Sequence, residues 1–231
     1  MEILKNFAKN SLKKWFKDYK GRQLIVGLSG SSKALAMGSF YEKHSEQILV
    51  VTPNLYFANQ LQEDLQQFLP EEEVLTFPVD EVLAAEMAYA SPEAKSERVN
   101  TLNHLVQGKK AIVITTVAGV KKFLPEKRIF EKSKLLLEVG EELELTTLPE
   151  KLVLMGYVRE GLVANPGEFA IRGSIADIYP LNADYPVRLE LFDTEIDSIR
   201  FFDPSNQRSL EKIDTFMVLP TTEMLADKES L

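Results

Sequence analysis

The residues with the most recognisable chemistry are Gly27-Leu28-Ser29-Gly30-Ser31-Ser32-Lys33-Ala34. They follow the apolar run Gln23–Leu28 and precede a helical pattern, which is the setting of the phosphate-binding loop G-x-x-x-x-G-K-[ST]. In such a loop backbone N–H groups cradle phosphates, the lysine reaches the β/γ oxygens and a hydroxyl holds magnesium. Here Ser32 stands in place of the second glycine and Ala34 in place of the hydroxyl residue. A methyl group cannot coordinate Mg²⁺, and a Cβ at position 32 crowds the approach of backbone to phosphate. Gly27, Gly30, Ser32, Lys33 and Ala34 therefore read as a vestigial phosphate loop, its shape kept and hydrolysis lost. A generic Gly/Ser turn and residual ATP binding are the alternatives.

Other catalytic chemistry is sparse. There is no cysteine, hence no thiol nucleophile, disulfide framework or Cys-ligated zinc. His44 and His104 are the only imidazoles and read as surface or satisfied helical residues. Asp80-Glu81, two residues past an apolar strand, is the nearest thing to an ATPase acidic pair, but a helix N-terminal cap explains it equally simply. The expectation is no catalytic residue, no metal and no bound cofactor.

The elements that must position these residues change character along the chain. Residues 2–20 form an amphipathic pattern with a lysine-rich outer face. Gln23–Leu28, Ile48–Thr52, Val74–Phe77 and Ala111–Thr116 are short apolar β-runs. Helical patterns lie between them at about 33–44, 54–68, 93–107 and 117–124. That alternation predicts βαβ crossovers and a parallel sheet. After about residue 130 the period becomes two, at Phe169–Arg172, Ser174–Tyr179, Val187–Phe192 and Glu195–Phe202. Leu148–Gly156 is a short helix, and Asp214–Leu219 one more apolar strand. The fold class expected is α/β, a P-loop-like (RecA/helicase-type) parallel-sheet domain, with an inserted α+β antiparallel-sheet domain.

The 231-residue chain suits one or two domains, and its 45 % hydrophobic and 27 % charged residues are ordinary globular composition. Its net charge of −8 disfavours a dedicated nucleic-acid module. The acidic excess falls after residue 130, a further sign of two units. Ala111–Val120 is about half the length of a membrane span and no secretory pattern is present, so a cytoplasmic location is expected.

Two segments carry a family resemblance: GEFAIRGSIADIYPL, with its R-G-x-x-x-D-[IL]-[YF]-P run at Arg172–Pro180, and VRLELFDTEIDSIRFFDPSNQRSLE, with R-[LV]-E-[LF]-F-D at its start. With the loop at Gly27–Ala34, ILVVTPN and AIVITTVAGV, they resemble UvrB, and more closely the UvrB-like N-terminal region of bacterial transcription-repair coupling factors. UvrB has an intact phosphate loop and a tyrosine-rich DNA-clamping hairpin. This chain has Ser32-Lys33-Ala34, and Phe77–Val99 is short with Tyr89 its added aromatic.

The resemblance implies a discontinuous first domain at residues 1–130 and 213–231 and an inserted UvrA-binding-type domain at 131–212. It implies binding rather than catalysis: recruitment of UvrA to stalled RNA polymerase, with polymerase, DNA and an ATP-driven motor served by regions outside this chain. Masking of the UvrA-binding surface by such regions is a corollary. The site residues it points to are Arg172, Tyr179 and Arg188, with Arg159 beside them. Arginine and tyrosine on a partly apolar sheet are common binding hot spots. Cross-strand ion pairs with Glu190 or Glu168, and simple packing of Tyr179, are the plain alternatives. Phe192, Phe201 and Phe202 read as core. The rival function is a fragment of a UvrB-type ATPase/helicase that binds nucleotide and damaged DNA.

Overall fold

In the computed structural model the described residues are 21–44, 46–79 and 91–225. In chain order they form α1 (Ser32–His44), β1 (Ile48–Thr52), α2 (Leu55–Gln66), β2 (Val74–Phe77), α3 (Pro92–Val106), β3 (Ile112–Thr116), α4 (Val117–Val120) and α5 (Lys127–Lys132). Then come β4 (Leu135–Glu138), α6 (Leu148–Leu154), β5 (Val158–Arg159), β6 (Glu168–Arg172), β7 (Ile175–Ile178), β8 (Val187–Phe192), β9 (Glu195–Phe202), β10 (Ser209–Ile213) and β11 (Thr215–Val218). The expected helix at 2–20, Asp80-Glu81, Tyr89 and the tail 226–231 lie outside the described residues. Among the described residues no helix is long and apolar enough to cross a membrane. Two compact units are distinguished, one within Met1–Ala88 and Gln107–Lys122, the other within Tyr89–Val106 and Phe123–Leu231.

The first unit is built on a three-stranded parallel sheet in the order β1-β3-β2. β3 is the centre strand and every residue of it is buried, which is why its sequence is apolar without alternation. Asn54 caps α2 by accepting from Phe57 N at 3.1 Å. Gly119 is required after β3, because a Cβ there would fall 2.0 Å from Thr115 Oγ1. That hydroxyl is itself engaged, donating to Phe77 O at 2.8 Å.

The expected strand at Gln23–Leu28 does not form. The segment joins no sheet, and Leu24 and Val26 are 88 % and 78 % exposed. An apolar run becomes a strand only where a neighbour takes its backbone N–H and C=O groups. Residues 23–28 take no place in the three-stranded sheet. The sheet is parallel as expected, but the strand–loop–helix setting of a phosphate loop is reduced to loop and helix. The helix expected at 117–124 is also shorter, ending at Val120.

The second unit holds a six-stranded sheet, β10-β9-β8-β7-β6-β5, antiparallel except where β5 runs parallel to β6. Its inner face packs Phe169, Ala176, Val187, Leu189 and Ile199 against Leu148 and Leu152 of α6. β4 and β11 form a separate antiparallel pair, Leu135 opposite Val218, and both contribute to that same core. The sequence places 1–130, with its helical pattern at about 93–107, and 213–231 in the first domain; β11 and α3 fall in the second unit. β11 goes there because Leu135 and Leu137 of β4 give its apolar side a pairing partner and a core. Tyr157 OH donates to Leu219 O at 2.8 Å and Thr221 N to Met155 O at 2.8 Å, which ties the following segment to the same unit. Arg98 of α3 forms a buried ion pair with Glu223 at 3.0 Å.

Candidate protein-interaction site

Strand alternation decides which side chains of the second unit reach the sheet's outer face. On β8, Val187, Leu189 and Leu191 are buried inward, so Arg188, Glu190 and Phe192 take the other side. On β7, Ala176 and Ile178 belong to the main core, so Asp177 between them does not. Asp177 lies opposite Arg188 in register, with Ala170 on its other flank. Its carboxylate is 1 % exposed.

That buried carboxylate joins two of the expected arginines. Arg188 grips it with Nε to Oδ1 at 2.6 Å and Nη2 to Oδ2 at 2.8 Å. Arg172, from the end of β6, donates Nη2 to the same Oδ2 at 2.6 Å. A buried carboxylate is costly unless paired in this way. The two arginines are not equivalent. The Arg188 side chain is 12 % exposed and its guanidinium lies 4.2 Å over the Phe202 ring. The Arg172 side chain is 45 % exposed and commits one nitrogen, leaving donors of its planar fork directed to solvent.

Arg188 and Arg200 face each other across β8 and β9, an arrangement that like charges disfavour. Separate carboxylates resolve it. Asp177 takes Arg188, and Glu190 takes Arg200, with Nη1 to Oε2 at 2.8 Å and a second bond from Nη2 to Oε1. Ser198 Oγ adds a bond to Glu190 at 3.2 Å. The Arg200 bond holds the Glu190 carboxyl below the usual carboxylate range. The plain alternative of a cross-strand pair with Glu190 therefore belongs to Arg200, while Arg188 and Arg172 turn to Asp177. Glu168 is occupied locally, accepting from Ala164 N, Asn165 N and Asn165 Nδ2.

Tyr179 packs on a small outer-face cluster of Val163, Ala170 and Phe202, and its hydroxyl donates to Asp184 O at 2.9 Å. Burial and the nearby Asp184 carboxylate push its pKa up. Arg159 is exposed on β5, the edge strand three places along the sheet from β8. The structure thus brings Arg172 and Arg188 together and leaves Arg159 apart, on the edge strand opposite Phe169 of the inner face.

Phe192, expected in the core, is 80 % exposed at the end of β8, beside the tight turn to β9. Phe202 is buried, but under Arg188 rather than in the main core. Asp177 was within the quoted motif yet not singled out; a lone acid between Ala176 and Ile178 in an apolar strand is the signal that marks it.

In the first unit the residues read from the sequence as a vestigial phosphate loop make local and core contacts. Gly27 and Gly30 have φ of +86° and +51°. Ser32 Oγ is spent on Ser29 O at 2.6 Å. Ala34 is fully buried and packs with Tyr41, Ala58 and Ile112, so its methyl is a core contact. Lys33 lines a cavity of about 490 Å³ with Met37, Phe57 and Asp64. Among the described residues no cluster of His, Asp or Glu has the arrangement of a metal site.

Comparison with known proteins agrees with the family read from the sequence. Residues 135–224 match the family described as UvrB interaction domain. The chain is 40 % identical over 207 residues to the transcription-repair-coupling factor of Bacillus subtilis, covering 90 % of this chain and 18 % of that protein. It is 41 % identical over 206 residues to the factor of the same name from Staphylococcus aureus strain RF122, covering 89 % and 18 %. The chain therefore spans less than a fifth of the length of these relatives. The resemblance to the UvrB-like region of coupling factors is borne out.

Proposed function

We propose that this chain is a non-catalytic UvrB-like module that binds UvrA, and that within a coupling factor it brings excision repair to RNA polymerase stalled at a lesion. One observation carries the reading. Inside the segment that matches the UvrB interaction domain, Arg172 and Arg188 share one buried carboxylate and present a net positive, partly open fork. A partner carboxylate can take the remaining donors of Arg172 in the planar geometry that guanidinium favours. Phe192, at the end of the strand that carries Arg188, adds an exposed aromatic of the kind that dominates interfaces.

The first unit is, in this reading, a degenerate P-loop scaffold without ATP, supporting the binding unit rather than doing chemistry. Contacts with polymerase and DNA fall to regions outside this chain, one of which masks the outer face until polymerase is engaged. The setting is cytoplasmic.

Calorimetric titration of the 231-residue chain against purified UvrA tests this. Arg172→Ala is the discriminating variant, because removing a half-exposed side chain spares the core. Its affinity is expected to fall at least about tenfold, the scale of an arginine hot spot. Tight binding indifferent to Arg172→Ala would move the site elsewhere, and no binding by the unaltered chain would end the reading.

A further inference from the structure

Arg188 is held by more than Asp177. Its Nη2 also donates to Gln207 Oε1 at 2.8 Å. Gln207 belongs to the turn from Asp203 to Arg208 that links β9 to β10, and it sits in the left-handed region with φ of +63°. The turn is closed by Gln207 N to Asp203 O at 2.7 Å and by Asp203 N to Arg208 O at 2.9 Å. The Asp203 carboxylate braces it from inside, accepting from Ser205 N at 2.8 Å, Ser205 Oγ at 2.6 Å and Asn206 Nδ2 at 2.7 Å. Gln207 Nε2 donates to Pro204 O at 3.0 Å. That bond settles the sense of the amide, because only the carbonyl oxygen is then left to face Arg188.

The arrangement matters because Asp177 Oδ2 is shared. It takes Nη2 of Arg172 at 2.6 Å and Nη2 of Arg188 at 2.8 Å. Two guanidinium groups on one oxygen compete for it. A second acceptor on the Arg188 nitrogen helps hold that guanidinium over the Phe202 ring and leaves Arg172 its place.

We propose that Gln207, fixed by the Asp203 turn, is a positioning residue that holds the Arg188 guanidinium where it and Arg172 together meet a partner's carboxylate. The inference rests on the binding reading above for its consequence, though not for its geometry. Ordering a loose guanidinium at the moment of binding costs free energy, and Gln207 removes that cost beforehand.

The test compares Gln207→Asn with Gln207→Glu in the whole chain. Asparagine tolerates the left-handed backbone but is one methylene too short to reach Arg188. Glutamate keeps the reach and the acceptor. Gln207→Asn is expected to speed solvent exchange of the Arg188 Nε–H, seen by nitrogen-15 NMR. It should weaken binding of UvrA about fivefold, within the range of coupled neighbours, and leave the melting temperature unchanged. Gln207→Glu, which keeps the acceptor for Arg188 but loses the bond to Pro204 O, should restore slow Nε–H exchange. In an Arg188→Lys background, Gln207→Asn should cost nothing further.

Unchanged Nε–H exchange in Gln207→Asn overturns the proposal. So does an equal loss of affinity in the Arg188→Lys background, which would mark a merely structural turn. If the unaltered chain fails to bind UvrA, the functional reading falls, and the exchange measurement still decides the role of Gln207.

Discussion

Asp177 accepts Arg188 through both carboxylate oxygens, at 2.6 and 2.8 Å, across a register pair at the middle of the six-stranded sheet. The pair is the anchor of the outer face, since Arg172 depends on the same carboxylate. Asp177→Asn keeps the shape but turns one acceptor into a donor pointed at guanidinium. The expected loss is about 3 kcal/mol, the scale for breaking a buried ion pair by removing one charge. A urea titration checks it. The midpoint should fall with the slope unchanged, because the exposed area on unfolding is the same. A midpoint equal to wild type would mean that the carboxylate holds nothing.

Glu190 supplies a pH dependence of known sign. Its carboxyl is held below the ordinary range, first by the Arg200 hydrogen bond. A depressed folded-state pKa stabilises the native state above the unfolded value, about 4.3 for glutamate, and that share is lost as pH falls through the lower folded value. Glu190→Gln should therefore be less stable than wild type near neutrality, and the gap should narrow as pH falls below about 4.3 and close only below the lower folded value. Paired chemical denaturation at the two pH values measures the gap. Because the Glu190 side chain is 37 % exposed, the gap is small and shrinks further in salt.

The change from apolar β-runs to alternating strands was readable, because burial on both faces and burial on one face leave different patterns. Ile112–Thr116 and Val187–Phe192 lie in the structure almost where the sequence puts them. That residues 23–28 stay outside the sheet was not readable, because composition reports apolar character and not the presence of a neighbouring strand. The partner of β11 was equally hidden, since pairing Leu135–Glu138 with Thr215–Val218 is a long-range choice. Arg172 and Arg188 are singled out by a motif, but their common anchor Asp177 is not. Gln207 gives no signal at all, because its role depends on a left-handed turn bringing it back to β8. Phe192 misled because an aromatic at a strand end looks the same whether it faces the core or a partner.

Gly156 is required where the chain leaves α6. Its φ is +92°, and a Cβ there would meet Thr221 Oγ1 at 2.6 Å and Thr222 Cγ2 at 2.8 Å. Gly156→Ala should cost about 2 kcal/mol from backbone strain alone, lowering the melting temperature by roughly 5 °C. Thr221→Ala in addition should not restore stability, since it leaves both φ and Thr222 in place. A full rescue would show that crowding and not φ is the cause.

The loop proposed as vestigial yields a last prediction, on whether completing the phosphate-loop motif gives nucleotide chemistry. Ser32→Gly with Ala34→Thr recreates the phosphate-loop sequence. Ala34, however, is fully buried against Tyr41, Ala58 and Ile112, so the added atoms of threonine enter a filled core. Overpacking of that kind costs about 1–3 kcal/mol. The strand that would hold such a loop in place is missing as well, since residues 23–28 join no sheet among the described residues. The double variant should therefore melt lower than the parent and gain no stability from Mg-ATP. Ligand binding would raise the melting temperature in proportion to RT ln(1 + [L]/Kd), so thermal scans at millimolar nucleotide are sensitive to weak sites. A Mg-ATP-dependent rise in the variant would mean that two side chains alone had silenced the loop. No rise would place the loss in the packing beneath Ala34 and the absent strand, which two substitutions cannot rebuild.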